Sequence, residues 1–169
     1  VTGELIDISV ARAPEPEIPA APGAPVVPDL LVPAGMHDVS TWDRLLSLPN
    51  PLTGILFVIE LRAGEAAPAM AEPMPDQAEA IDKLIASFVR EGDFGSRIGE
   101  NEWVFIYSHD AAGFNQRRIG MIPEKLWDFQ LRHLGTANLT FKWGAVDVKS
   151  EPLEASLEAA RARMNQTRR

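Results

Sequence analysis

Ile55-Leu56-Phe57-Val58-Ile59-Glu60-Leu61 is an almost unbroken apolar run of strand length, rich in β-forming residues. A strand that buries only one face alternates apolar and polar residues, whereas a continuous run lies in the middle of a sheet covered on both faces. The fold must therefore hold at least three layers, with helices on either side of this strand. The rest of the chain supplies them. Asp76 to Glu91 places Ala78, Ile81, Leu84, Ile85, Phe88 and Val89 on one helical face. Asp76 is a suitable cap, and Gly92 suits a left-handed residue after its end.

Around these two elements the pattern continues. Trp42 to Leu48 reads as a short amphipathic helix, with Ser40 or Thr41 as its cap and Asn50-Pro51 as its stop. Ala63 to Pro75 reads as a loop. Arg97-Ile98 and Glu102 to Ser108 read as two strands joined by a tight turn through Gly99. Pro123 suits the first turn of a helix reaching about His133, with Leu126, Phe129 and Leu134 as its buried stripe. Leu139 to Val148 is a strand. Ser150 to Met164 is a last helix, with Leu153, Leu157, Ala160 and Met164 on one side. The order strand, helix, hairpin, helix, strand, helix predicts an α/β sandwich around a mixed or antiparallel sheet.

Residues 1–35 differ in kind. Leu5 to Val10 alternates like a short strand, and Ala13 to Pro33 is rich in proline, which removes backbone donors and favours an extended linker. The expected division is an N-terminal extension and linker over 1–35 and a folded domain over 36–169. A start at Val1 rather than Met is expected of a piece cut from a longer protein.

Several function classes are disfavoured. The formal net charge of −8 opposes non-specific binding to nucleic acid or anionic membranes. There are no cysteines, hence no disulfides or thiolate metal sites, which fits a reducing compartment. No apolar run approaches the ~20 residues of a membrane helix. His37, His109 and His133 lack metal-ligand spacing, and no Walker loop or nucleophile elbow occurs. Trp103, Phe105 and Tyr107 alternate along one strand, as core aromatics do.

Two motifs carry chemistry. Arg90-Glu91-Gly92-Asp93 is an Arg-x-x-Asp motif, and Gly99-Glu100-Asn101-Glu102-Trp103 begins six positions after Asp93. Together they resemble the inhibitory-site motif and the signature hairpin of the GGDEF domain, the catalytic domain of bacterial diguanylate cyclases, which join two GTP into cyclic di-GMP. The resemblance runs from about Trp42 to Met164. Leu139 to Ala145 is similar to the family strand that usually ends in Ser-Ile-Gly-Val, and Leu157 to Met164 to its final Ala-rich helix. It implies a nucleotidyl-cyclase-like sandwich.

The resemblance also implies lost catalysis. Glu60 takes the place of the family's first metal-binding Asp, and Asn101 that of the second; an amide is a weak Mg²⁺ ligand. Glu100 replaces a glycine that lets the backbone approach the nucleotide. Glu102 keeps its position. The family's Phe-Lys-x-x-Asn-Asp segment has no counterpart over Gly64 to Ala69, and Thr167, beside Arg168, falls where a basic residue is usual. No catalytic residue, metal or resident cofactor is expected.

The Arg-x-x-Asp motif is intact, so the implied role is a regulatory receptor for cyclic di-GMP. A guanidinium matches guanine O6 and N7, and a carboxylate matches N1–H and N2–H₂. Arg90, Asp93 and Arg97 are the expected ligand-binding residues. A helix-end Arg and a turn Asp would explain the pattern in purely structural terms, but the six-residue spacing from Asp93 to Gly99 puts the binding reading ahead. Two other readings stand beside the receptor: a protein-interaction or dimerisation module without nucleotide, and a residual cyclase using Glu60 and Glu102. Expected partners are cyclic di-GMP and a protein partner or second copy, in the bacterial cytoplasm.

Overall fold

The long apolar run occupies the sheet interior. In the computed structural model the strand β2 (Gly54–Ala63) lies between β4 (Glu102–Tyr107) and β5 (Leu139–Val148), antiparallel to both. The hairpin partner β3 (Phe94–Arg97) follows β4, and the two-residue β1 (Met36–His37) closes that edge, parallel to β3. The five-stranded mixed sheet has the order β1-β3-β4-β2-β5. The structure describes residues 36–47, 53–64, 72–135, 138–148 and 151–166. The expected strand Leu5–Val10, the linker 13–33, the Asn50-Pro51 stop, most of the Gly64–Ala69 segment and Thr167 lie outside them.

Strand alternation divides the core in two. Phe57, Ile59, Trp103, Phe105, Tyr107 and Phe141 pack beneath α2 (Pro75–Ala86) and α3 (Phe114–Phe129). Leu56, Val58, Val104, Val146 and Val148 pack on the other face, beneath α1 (Val39–Leu46) and α4 (Leu153–Gln166). Burial on both faces is what the continuous apolar run demanded. The aromatic stripe of β4 is core, with Trp103, Phe105 and Tyr107 between 0% and 3% exposed. Gly144 matters to the second layer: a Cβ there would meet the Ala160 carbonyl, so its absence lets α4 approach the sheet.

Local chemistry moves several boundaries. Asp38, not Ser40 or Thr41, caps α1, its Oδ1 accepting from the Thr41 N–H at 3.1 Å. Helix α2 stops at Ala86, five residues short of expectation, where the Ser87 hydroxyl donates to the Leu84 carbonyl. Phe88 and Val89 remain buried beyond it, held by turn bonds from Phe88 N to Ile85 O and Val89 N to Ala86 O. Gly92 does take positive φ, at 86°.

The largest correction concerns α3. It starts at Phe114, nine residues before Pro123, and Pro123 lies inside it. Asp110 accepts from the Phe114 N–H at 2.8 Å and the Asn115 N–H at 3.2 Å, capping the first turn. Burial of Ile119, Ile122 and Leu126 offsets the proline's missing bond. A π-helical turn, Gln130–Leu134, continues it, and the Gln130 Oε1 accepts from the Phe141 N–H on the outer edge of β5 at 3.1 Å. Among the described residues, no helix is long and apolar enough to cross a membrane.

Candidate functional site

The signature hairpin joins β3 to β4, with Ile98 N and Gly99 N both donating to Glu102 O. Glu60 of β2 and Glu102 of β4 are directly opposed in register. Their side chains share the face beneath α4, and each is held by an arginine. Arg62 lies 2.6 Å from Glu60. Arg161 of α4 donates to both Glu102 oxygens at 2.7 Å, a bidentate fork. The bond to Glu60 raises the Arg62 pKa, and the bond to Glu102 raises that of Arg161, with Glu60 and Glu158 adding to it. The two opposed carboxylates are thus each satisfied by a guanidinium group. Among the described residues, no group of three or more His, Asp or Glu gathers as a metal site.

Gly99, Glu100 and Asn101 take part in this hairpin through backbone atoms. Glu100 and Gly99 are exposed at its tip, and the Asn101 carbonyl accepts from Leu61 N at 2.9 Å. Arg97 folds over the turn. Its Nε donates to Gly99 O at 3.2 Å, its Nη2 to Glu100 O, and its guanidinium sits 5.7 Å from the Trp103 ring centre. Four residues of extended strand, about 13 Å, separate it from Asp93. The structure does not bring Arg97 together with the Arg-x-x-Asp motif, because the free hairpin carbonyls are its nearer acceptors.

Arg90 and Asp93 do meet. The Asp93 N–H donates to Arg90 O at 2.9 Å, and the Arg90 N–H donates to Asp93 Oδ2 at 2.9 Å, closing a reciprocal turn. The two side chains part company. Asp93 turns inward and is 5% exposed, while Arg90 turns outward, its guanidinium 5.9 Å from the ring centre of Phe114. Phe114 is itself 54% exposed.

The residue that completes this cluster is Arg118, on α3. Its Nη2 donates to Asp93 Oδ2 at 2.6 Å and to Phe88 O at 3.3 Å, and its Nη1 to Asn115 Oδ1 at 2.9 Å. The guanidinium lies over Tyr107, whose hydroxyl donates to the same Phe88 carbonyl at 3.1 Å. Burial, with the nearby Asp93 charge, pushes the Tyr107 phenol well above its usual range. A small pocket of about 120 Å³ opens beside the cluster, lined by Arg90, Arg118 and Lys125. Sequence reasoning had no means to find Arg118: it lies 25 residues from Asp93, in a stretch read as preceding a helix rather than forming one.

No family model and no curated protein matches this sequence. Among solved structures, the chain is similar to the crystal structure of the GGDEF domain of DgcB from Caulobacter crescentus in complex with c-di-GMP. The TM-score is 0.52 at 18% sequence identity, over 78% of this chain and 85% of that one. The fold is therefore GGDEF-like, as the sequence resemblance implied.

Proposed function

We propose that this is a non-catalytic GGDEF-like domain that serves as a regulatory receptor for cyclic di-GMP. The observation that carries the reading is the Arg90–Phe114–Arg118 surface: two guanidinium groups and an exposed aromatic ring gathered at one turn of a chain with net charge −8. A purine stacks on an aromatic face, Arg90 offers its donor fork to guanine O6 and N7, and the cationic pocket attracts phosphate. The solved GGDEF domain of similar fold contains c-di-GMP, which makes that nucleotide the ligand of choice.

The role of Asp93 changes under this reading. Its Oδ2 already accepts from Arg90 N–H and Arg118, so it positions the two arginines rather than reading the guanine edge. The loss of catalysis is supported by Glu60 and Glu102, each engaged by arginine, and by Asn101 and Glu100 in the signature. The reading implies a soluble cytoplasmic signalling module acting on a protein partner or a second copy. The inward turn of Asp93 favours one alternative, an interaction module without nucleotide.

Calorimetric titration with cyclic di-GMP separates the two. Saturable binding is expected, weakened roughly tenfold or more by Arg90→Ala, the loss of one charge-assisted hydrogen bond. Circular dichroism confirms that the variant is folded. No binding by the wild-type chain, or affinity indifferent to Arg90→Ala, puts the interaction module in front.

A further inference from the structure

The pocket of about 120 Å³ is lined by three cations, Arg90, Arg118 and Lys125, and they are not equally available. Arg118 is committed to the fold. Three of its five N–H donors go to Asn115 Oδ1, Phe88 O and Asp93 Oδ2, and the Asp93 carboxylate at 2.6 Å offsets its charge. Arg90 lies against the Phe114 ring, where its fork suits a base edge. That leaves Lys125.

Lys125 follows Arg118 by seven residues on α3, two helical turns, and so shares a face with Phe114, Arg118 and Met121. A helical side chain leans towards the N-terminus of its helix, which carries Lys125 back over Met121 to the pocket. The nearest carboxylates of α3 are occupied or face elsewhere. Asp128 is paired with Arg132 at 2.9 Å, and Glu124 lines a separate cleft between α3 and β5. Among the described residues, no carboxylate lines the pocket itself, and Lys125 makes no ion pair or hydrogen bond. In a chain of net charge −8, such an ammonium is a local attraction for an anion.

We propose that Lys125 binds the phosphate of the ligand, while Arg90 and Phe114 hold the base; the assignment rests on the receptor reading above. An ammonium is a compact charge with three rotatable donors, which suits a tetrahedral phosphate approaching from any side. The site then selects a phosphorylated ligand and does not retain a guanine nucleoside that lacks phosphate.

The test titrates wild type, Lys125→Ala and Lys125→Arg with cyclic di-GMP by calorimetry, and with GMP and guanosine by amide NMR. Lys125 is exposed, so both variants should keep the wild-type circular dichroism spectrum. Lys125→Ala should weaken cyclic di-GMP about tenfold, the loss of one charge-assisted hydrogen bond, and flatten the dependence of affinity on salt. Lys125→Arg keeps the charge and should stay within about threefold of wild type. GMP should shift the amide signals of residues 118–126 in wild type but not in Lys125→Ala, and guanosine should leave them in place. Cyclic di-GMP binding that needs Arg90 but ignores Lys125→Ala overturns this inference and leaves the receptor reading standing. If wild type binds no cyclic di-GMP, the receptor reading falls and GMP decides. Shifts over residues 118–126 that depend on Lys125 then uphold the phosphate site; no shifts, or equal shifts with guanosine, overturn it.

Discussion

Arg118 reaches Asp93 at 2.6 Å from a helix, α3, that begins only at Phe114, well after the turn at Asp93 has closed. The pair is little exposed, with side chains 17% and 5% accessible, so neither charge is well solvated. Breaking such a pair leaves the survivor uncompensated. Asp93→Ala should therefore destabilise the domain by about 3–5 kcal/mol. Arg118→Ala should cost a similar amount, and the double variant less than the sum, because the two share one interaction. Urea denaturation midpoints of the three variants check this; additive losses would show that the pair is not coupled.

The Glu102–Arg161 fork behaves differently. Arg161 is 42% exposed, so solvent screens the pair and Arg161→Ala should lower stability by at most about 1 kcal/mol. Freeing Glu102 should not create a cyclase, because Asn101 and Glu100 remain. Wild type and Arg161→Ala, incubated with GTP and Mg²⁺ or Mn²⁺, should both yield no cyclic di-GMP by chromatography. Product formed in proportion to enzyme would refute the non-catalytic reading.

Phe88 sits just beyond α2, 4% exposed, edge-on to Phe105 at 6.2 Å. Its carbonyl also receives Tyr107 and Arg118. Emptying this site by Phe88→Ala should cost about 3–5 kcal/mol, the usual range for a buried aromatic. An unchanged denaturation midpoint would show that this turn does not anchor the α2–sheet layer.

Tyr107 is the single tyrosine of the chain, so phenolate absorbance reports on it alone. Its pKa is raised in the folded state, chiefly by burial. Below the unfolded value, about 10, both states hold the proton and stability is unaffected. Above it the unfolded state ionises first, so stability falls as pH rises from there towards the folded value. The phenolate band should appear together with unfolding, and Tyr107→Phe should flatten the alkaline loss. A phenolate band that develops fully while circular dichroism stays native would contradict the buried, hydrogen-bonded position.

The strands β2 and β5 and the stripes of α2 and α4 were legible in the sequence, because each is specified by local periodicity and burial. Every residue of the run 55–61 except Glu60 is buried, and Leu157, Ala160 and Met164 repeat at helical spacing. The Gly99 hairpin was legible for the same reason. Element ends were less so: Ser87 stops α2 with a hydroxyl-to-carbonyl bond, and Asp110 starts α3 nine residues before a proline that looked like its first turn. In both cases a side chain competes with the backbone, and tertiary burial settles the outcome.

The site depended on contacts between residues far apart in the chain. Sequence alone marked Arg90 and Asp93 as a pair and Glu102 as a retained carboxylate. Only the tertiary structure turned Asp93 inward onto Arg118, drew Arg97 onto the hairpin carbonyls and set Arg161 across Glu102, 59 residues away. Periodicity carries no information about which charge finds which, because a long charged side chain is satisfied by whatever acceptor packing brings within reach. The same amino acids that spell a motif thus become, once α3 and α4 close over the sheet, two ion pairs and an outward-facing cation.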